Sequence, residues 1–277
     1  MYNTGMKELT TQEFNRLRDY IKSNFGISLS GEKKSLIFSR LRTTLIENGF
    51  DNFSDYFEFL THDKSGAAIT RFIDKVTTNH TFFMREVDHF DYLRETVLPY
   101  IEETWRGQRD LRMWCAASSS GEEPYTLQMI AQDFFKKIND KWDTQILATD
   151  ISTQVLDKAV HGVYANESLK PIPENWKRDY FQKFDDSHSI VKDDIKKLMV
   201  YRKFNLMEEH YPFTRKFQVI FCRNVMIYFD NKTRDEVVRK FYDITENGGY
   251  LFIGHSESLN HTGTAFKYIK PAVYRKV

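Results

Sequence analysis

Cysteine is nearly absent from this chain: 277 residues carry only Cys115 and Cys222. Both fall in apolar, strand-like runs. That excludes a disulfide framework and points to small core thiols in a reducing compartment. The eight histidines are scattered and share no metal-ligand spacing with the cysteines, so no metal site is expected. No apolar run approaches the length of a bilayer crossing, and no direct membrane insertion is expected. The opening MYNTGMKELTTQEF has no apolar signal core, which makes the cytoplasm the expected location. An excess of one charge is also missing: 40 Lys and Arg stand against 39 Asp and Glu, a net +1. Such a balance advertises neither nucleic acid nor an anionic membrane as partner. Repeats and low-complexity segments are absent as well.

What is present is organised around Leu111 to Tyr125, LRMWCAASSSGEEPY. Leu111 to Ala117 is a short apolar run, as a buried parallel strand requires. Ser118 to Gly121 break it with small residues. Glu122, Glu123 and Pro124 then open a helix whose spacing is Leu127, Ile130, Phe134 and Ile138. In an open parallel sheet, such a strand–loop–helix turn lies at the carboxyl ends of the strands, where ligands bind. A phosphate site would want a glycine-rich loop or a lysine. Two carboxylates repel phosphate and suit a neutral or cationic ligand. The next strand, Thr144 to Thr149, stops at Asp150, placed to take ribose hydroxyls. A nucleoside site with acids and no phosphate cradle points to S-adenosylmethionine (SAM) rather than NAD. The alternative is an ordinary turn with solvated carboxylates.

Residues 1–78 read as an all-helical domain and 79–277 as an α/β domain. Thr10 and Glu13 form a capping-box pattern. Phe14, Leu17, Ile21 and Phe25 then share a face, and Gly26 ends the helix. A second helix spans about Glu32 to Asn48, with Phe38, Leu41 and Leu45 inward and Lys33, Lys34 and Arg40 exposed. It is either a solvated face or a docking surface. Two short helices follow. The stretch TTNHTFFMRE, 77–86, links the parts, and Asn79, Thr81 and Arg85 could line a cleft there. A helix from about Val87 to Glu103 comes next. Within 162–203, Ser189–Val191 and Leu198–Phe204 read as a small antiparallel hairpin around a KDDIKK turn. Phe217–Cys222 is a buried strand with Arg223 and Asn224 at its ligand-facing end. The following helix is expected to end at Gly248 and Gly249, before a strand from Tyr250 to Gly254 and a final hairpin.

Five motifs, TTNHTFFMRE, AASSSGEEPY, ATDIS, FCRNVMIYFD and GHSESL, occur in this order. Together they closely resemble the CheR family of bacterial chemotaxis receptor methyltransferases, over nearly the whole chain. The resemblance implies an α/β fold: a Rossmann-like SAM-dependent methyltransferase domain bearing a small β-subdomain, preceded by an all-α N-terminal domain. It implies methyl transfer from SAM to glutamate side chains on the cytoplasmic domains of methyl-accepting chemotaxis receptors, leaving S-adenosylhomocysteine. It implies that Asn79, Thr81 and Arg85 contact SAM, with Glu123 in the first loop. Asp150 would hold the ribose, Asn205 and Leu206 would flank the adenine, and Arg223 and Asn224 would face the cofactor. Arg85 and Tyr228 are the implied catalytic positions.

Two departures stand out. Met84 separates the aromatic pair from Arg85, where other members often have the pair adjacent. Some members bind a receptor pentapeptide on the β-subdomain through a longer, glycine-containing loop. Here KFDDSHSIVKDDIKK is shorter and lacks glycine, so recognition without a pentapeptide tether is expected; a monomer is expected as well. The alternatives are a SAM-dependent methyltransferase of another substrate and a non-catalytic SAM-binding module. Against base methylation, the position after the fourth strand reads Arg-Asn-Val-Met rather than Asn/Asp-Pro-Pro-aromatic.

Overall fold

The structure is a computed structural model, and it describes residues 8–76, 80–259 and 263–277. The chain divides into two compact units. One comprises the residues through 79 together with Tyr228–Asp230, the other His80–Ile227 and Asn231–Val277.

The first unit is helical. Helix α1 (Thr11–Phe25) starts on a full capping box between Thr10 and Glu13 and ends on Gly26 at φ 70°. Glu13 also accepts from the backbone and hydroxyl of Ser54, which ties α1 to α3 (Phe53–His62). In α2 (Lys34–Glu47) the buried series is Ile37, Leu41 and Leu45. Phe38 lies one position off that stripe and is half-buried against Phe53. The basic residues expected to be exposed are engaged instead. Lys34 donates to Thr11, and Arg40 donates to the last carbonyl of α4 (Ala67–Val76). Tyr228 belongs to this unit. Its carbonyl accepts from the Ser28 amide at 2.7 Å, and the Lys33 ammonium lies 5.7 Å from its ring centre.

The second unit opens with α5 (Val87–Tyr92), a π-helical turn (Leu93–Val97) and α6 (Leu98–Trp105). Next come β1 (Met113–Ala116), α7 (Glu122–Lys137), β2 (Ile146–Asp150) and α8 (Thr153–His161). A small antiparallel sheet of β3 (Val163–Ala165), β4 (Phe181–Lys183) and β5 (His188–Val191) follows, with α9 (Glu174–Tyr180) before β4. Then come α10 (Asp193–Lys196), β6 (Met199–Lys203), β7 (Phe217–Cys222), α11 (Asn231–Ile244), β8 (Thr245–Ile253), β9 (Lys267–Lys270) and β10 (Val273–Arg275). The main sheet runs β6-β2-β1-β7-β8-β10-β9. Its first five strands are parallel, and β10 and β9 close it antiparallel. From β1 the chain builds outward to β2 and β6, then returns to place β7 on the other flank. The strand order therefore reverses between β1 and β7, and the ligand crevice of such a sheet opens there.

Three local expectations fail for identifiable reasons. Leu198–Phe204 does not pair with Ser189–Val191. The KDDIKK segment forms the helical turn α10, with Ile195 buried. That turn carries β6 across to lie parallel to β2, while β5 sits between β3 and β4. Helix α7 is buried nearly all round from Pro124 to Ala131, while Ile138 is exposed. Its first half is tied down by Tyr125 bonding the Ala159 carbonyl and Gln128 bonding Thr144, and every residue from Pro124 to Ala131 is buried, so a single apolar stripe does not describe it. Gly248 and Gly249 lie inside β8, beside a register shift against β7. A side chain on Gly249 would meet the Gln218 carbonyl at 2.9 Å, so the glycine marks close strand approach rather than a helix end.

Candidate active site

The loop from β1 to α7 is the strained part of the switch point. Ala117, Ser119 and Gly121 all take positive φ (63°, 49° and 101°). Only glycine fits the last position, because a Cβ there would meet the Tyr164 hydroxyl at 2.6 Å and the Ala159 side chain at 2.9 Å. Tyr164 donates to the Ser120 carbonyl, which fixes the loop from below. The turn aims the Ser119 amide at Asp150, which accepts it at 2.9 Å and the Ser152 amide at 3.0 Å. The ends of β1 and β2 are thus joined through one carboxylate. Of the two acids opening α7, Glu122 accepts from Ser120, and burial raises its carboxyl above the ordinary range.

Arg223, at the end of β7, is the centre of the site. Its side chain is 1% exposed. Nη1 donates to Glu123 at 2.7 Å, and Nη2 to Glu86 at 2.8 Å and to the Arg85 carbonyl at 2.6 Å. Burial works against its charge, but Glu123 and Glu86 outweigh burial and raise its pKa. Glu86 is the converse: burial pushes its carboxyl up, and the bonds and charge of Arg223, with Asn224, bring it below the ordinary range. Cys115 donates its thiol to Glu123 at 3.1 Å, and burial holds that thiol protonated. Asn224 takes φ 59°, donates its amide NH2 to Glu86 and its backbone N–H to Glu257. Glu257 is buried and also accepts the Gly254 and Ile227 amides, so it clamps the loops after β7 and β8 together.

His89 is fully buried beside this cluster, and neither ring nitrogen has a hydrogen-bond partner among the described residues. Burial and the nearby Arg223 charge push its pKa down to about 4, so the ring is neutral. Glu86, His89 and His255 bring ligand-type atoms within 4.8 Å of one another. Two features oppose a cation there: Glu86 already serves Arg223, whose charge repels it, and the His255 ring is bonded to Asp88.

Arg223, Asn224 and Glu123 therefore meet in one cluster, with Asp150 on the neighbouring loop. Arg85 follows on from this cluster through its own carbonyl, but its side chain is half-buried and turned to the His80 carbonyl at 2.9 Å. Thr81 is half-buried on the same stretch. Asn205 accepts the Met207 amide, and Leu206 is buried with its carbonyl bonded by Tyr211. Asn79 lies outside the described residues. Tyr228 belongs to the helical unit. Sequence reasoning passed over Glu86 and Glu257, although both stand inside quoted motifs. The available signal was an acid next to Arg85 in one motif, and an acid among small residues at a strand's end in the other.

Known proteins match along nearly the whole chain. The model described as "CheR methyltransferase, SAM binding domain" matches residues 79–275, and "CheR methyltransferase, all-alpha domain" matches 12–77. A chemotaxis protein methyltransferase of Borreliella burgdorferi is 42% identical over 97% of this chain and 95% of its own length. The chemotaxis protein methyltransferase of Escherichia coli is 33% identical over 96% and 91%. Among solved structures, the glycopeptide N-methyltransferase MtfA complexed with SAM aligns at a TM-score of 0.31 and 13% identity. That alignment covers 58% of this chain and 53% of that one, a likeness too slight to argue from.

Proposed function

This chain belongs to the CheR methyltransferase family, and on that premise we propose that it methylates glutamate side chains of chemotaxis receptors. Its activity is SAM-dependent methyl transfer in chemotaxis. The finer reading gives it the receptors' cytoplasmic domains as substrate and γ-glutamyl methyl esters as product. It acts as a monomer in the cytoplasm, without a pentapeptide tether. Among the described residues, no helix is long and apolar enough to cross a membrane.

One observation supports a carboxylate acceptor more than any other. Arg85 presents a guanidinium on the loop leading into the Arg223 cluster, and among the described residues that guanidinium makes one hydrogen bond. A glutamate side chain, with a pKa of about 4.3, is already ionised at neutral pH and needs no general base. What remains is positioning and electrostatics. Arg85 orients the carboxylate by a forked contact. Bound SAM would supply the methyl group: an acceptor oxygen would bond the methyl carbon as the carbon–sulfur bond breaks, its electron pair staying on sulfur. Carboxylate and sulfonium lose opposite charges together, so excluding water speeds the step. Asp150 holds the ribose, and Glu123, Arg223 and Asn224 form the floor of the cofactor site. Thr81, Asn205 and Leu206 complete it. Tyr228, which belongs to the helical unit, is proposed as the second catalytic residue on the family resemblance alone.

The test is chemical. Incubate the protein with methyl-labelled SAM and receptor-rich bacterial membranes, then treat with mild alkali. Label released as volatile methanol identifies a carboxyl methyl ester. Label that survives alkali makes this a methyltransferase of another substrate and removes the glutamate reading.

A further inference from the structure

We propose that Glu86 is a positioning residue whose charge also sets how the site discriminates SAM from its demethylated product. The inference rests on the reading that Arg223 and Asn224 face the cofactor. Glu86 takes φ 57°, a conformation a glutamate seldom adopts. The surrounding bonds hold it there. One carboxylate accepts from Arg223 at 2.8 Å, from the Asn224 side chain at 3.2 Å and from the His255 amide at 3.2 Å. It thereby joins three segments distant in sequence: the stretch before α5, the end of β7 and the end of β8.

The charge count gives the second half of the role. Arg223 supplies one positive charge, and Glu86 and Glu123 supply two negative ones, each carboxylate 14% exposed. The buried cluster therefore carries one net negative charge. With little water near it, that charge acts over several ångströms. SAM and S-adenosylhomocysteine share the adenosine and the amino-acid groups, so hydrogen bonds to those parts are common to both. They differ in the methyl group and in charge: SAM carries a sulfonium, the product a neutral thioether. Neutralising Glu86 removes the net negative charge and weakens SAM more than the product. A purely architectural Glu86 would weaken both alike.

The experiment measures dissociation constants for SAM and for S-adenosylhomocysteine on the full chain, as wild type, Glu86→Gln and Asn224→Ala. Glu86→Gln keeps the size and removes the charge. SAM is expected to bind about tenfold more weakly and the product less than about threefold more weakly. An equal loss for both ligands, or no loss for either, overturns the proposal. If Glu86→Gln folds too weakly for titration, the rise in Tm that each saturating ligand gives carries the same comparison. SAM's rise should then shrink more than the product's, and equal shrinkage overturns the proposal. Asn224→Ala separates the two possible failures. If it weakens neither ligand, the cofactor-facing assignment fails; if it weakens both while Glu86→Gln leaves their ratio unchanged, only the role of Glu86 fails.

Discussion

Two arginines stand one carbonyl apart in this site and are held in opposite ways. Arg223 is almost fully buried, spans two carboxylates and bonds the Arg85 backbone. Its donors are committed, and moving it would leave two part-buried acids unpaired. Arg85 lies on the neighbouring loop, half-buried, with its guanidinium on the His80 carbonyl and 5.8 Å from the Phe82 ring centre. A guanidinium has five N–H donors, so its one hydrogen bond among the described residues leaves most of them for an incoming group. On the proposed reading, the same side-chain chemistry serves as architecture in one place and as a receptor for substrate in the other. The difference comes from burial and partner count, not from residue type.

Removing Arg223 is the strongest way to sharpen that contrast. Arg223→Ala leaves Glu86 and Glu123 without their cation, and breaking a buried pair costs about 3–5 kcal/mol. The variant should unfold at markedly lower denaturant, while Arg85→Ala stays within about 0.5 kcal/mol of wild type, as a half-exposed change does. Equal stability losses in the two variants would erase the distinction.

His89 gives a pH form of the same comparison. In the unfolded chain its pKa is near the ordinary 6.5, and in the fold it falls to about 4. Between those values the unfolded state binds the extra proton, so stability falls as pH drops from about 7 to about 4. The shift corresponds to roughly 3 kcal/mol. Glu86, Asp88, His255 and Arg223 surround the ring, and Arg223 is one cause of the depression. Denaturation of His89→Gln across this range should show a flatter slope than wild type. An unchanged slope would mean that His89 does not stay neutral beside Arg223.

How much of this was legible beforehand follows from how local each feature is. The strand–loop–helix at 111–125 and the acid at Asp150 were readable because apolar runs and loop composition are local signals. The parallel placement of β6 was not, since it depends on α10 forming a turn that hides Ile195. The all-round burial of α7 was invisible to a 3.6-residue stripe for a similar reason, because Tyr125 and Gln128 are tied to residues distant in sequence. The strand-end rule placed Asp150, Arg223 and Asn224 at the ends of β2 and β7, where the structure has them. Glu86 and Glu257 were not, because a carboxylate that collects distant N–H groups looks like any surface acid in sequence.

Asp150 bears on the cofactor side of the contrast. Asp150→Ala should weaken SAM about ten- to thirtyfold, the size expected for losing hydrogen bonds to a charged group. The maximal rate at saturating SAM should change much less. Titration of the variant checks this, and unchanged affinity would undo the ribose assignment.

The most direct test compares Arg85→Ala with wild type in a single-turnover assay at saturating SAM, alongside the SAM dissociation constant. Methyl transfer should slow by about 100-fold, the scale of one lost charge-stabilising donor, while SAM affinity shifts less than about threefold. Transfer at the wild-type rate, or a loss of SAM affinity as large as the loss of rate, would contradict the division of labour between the two arginines.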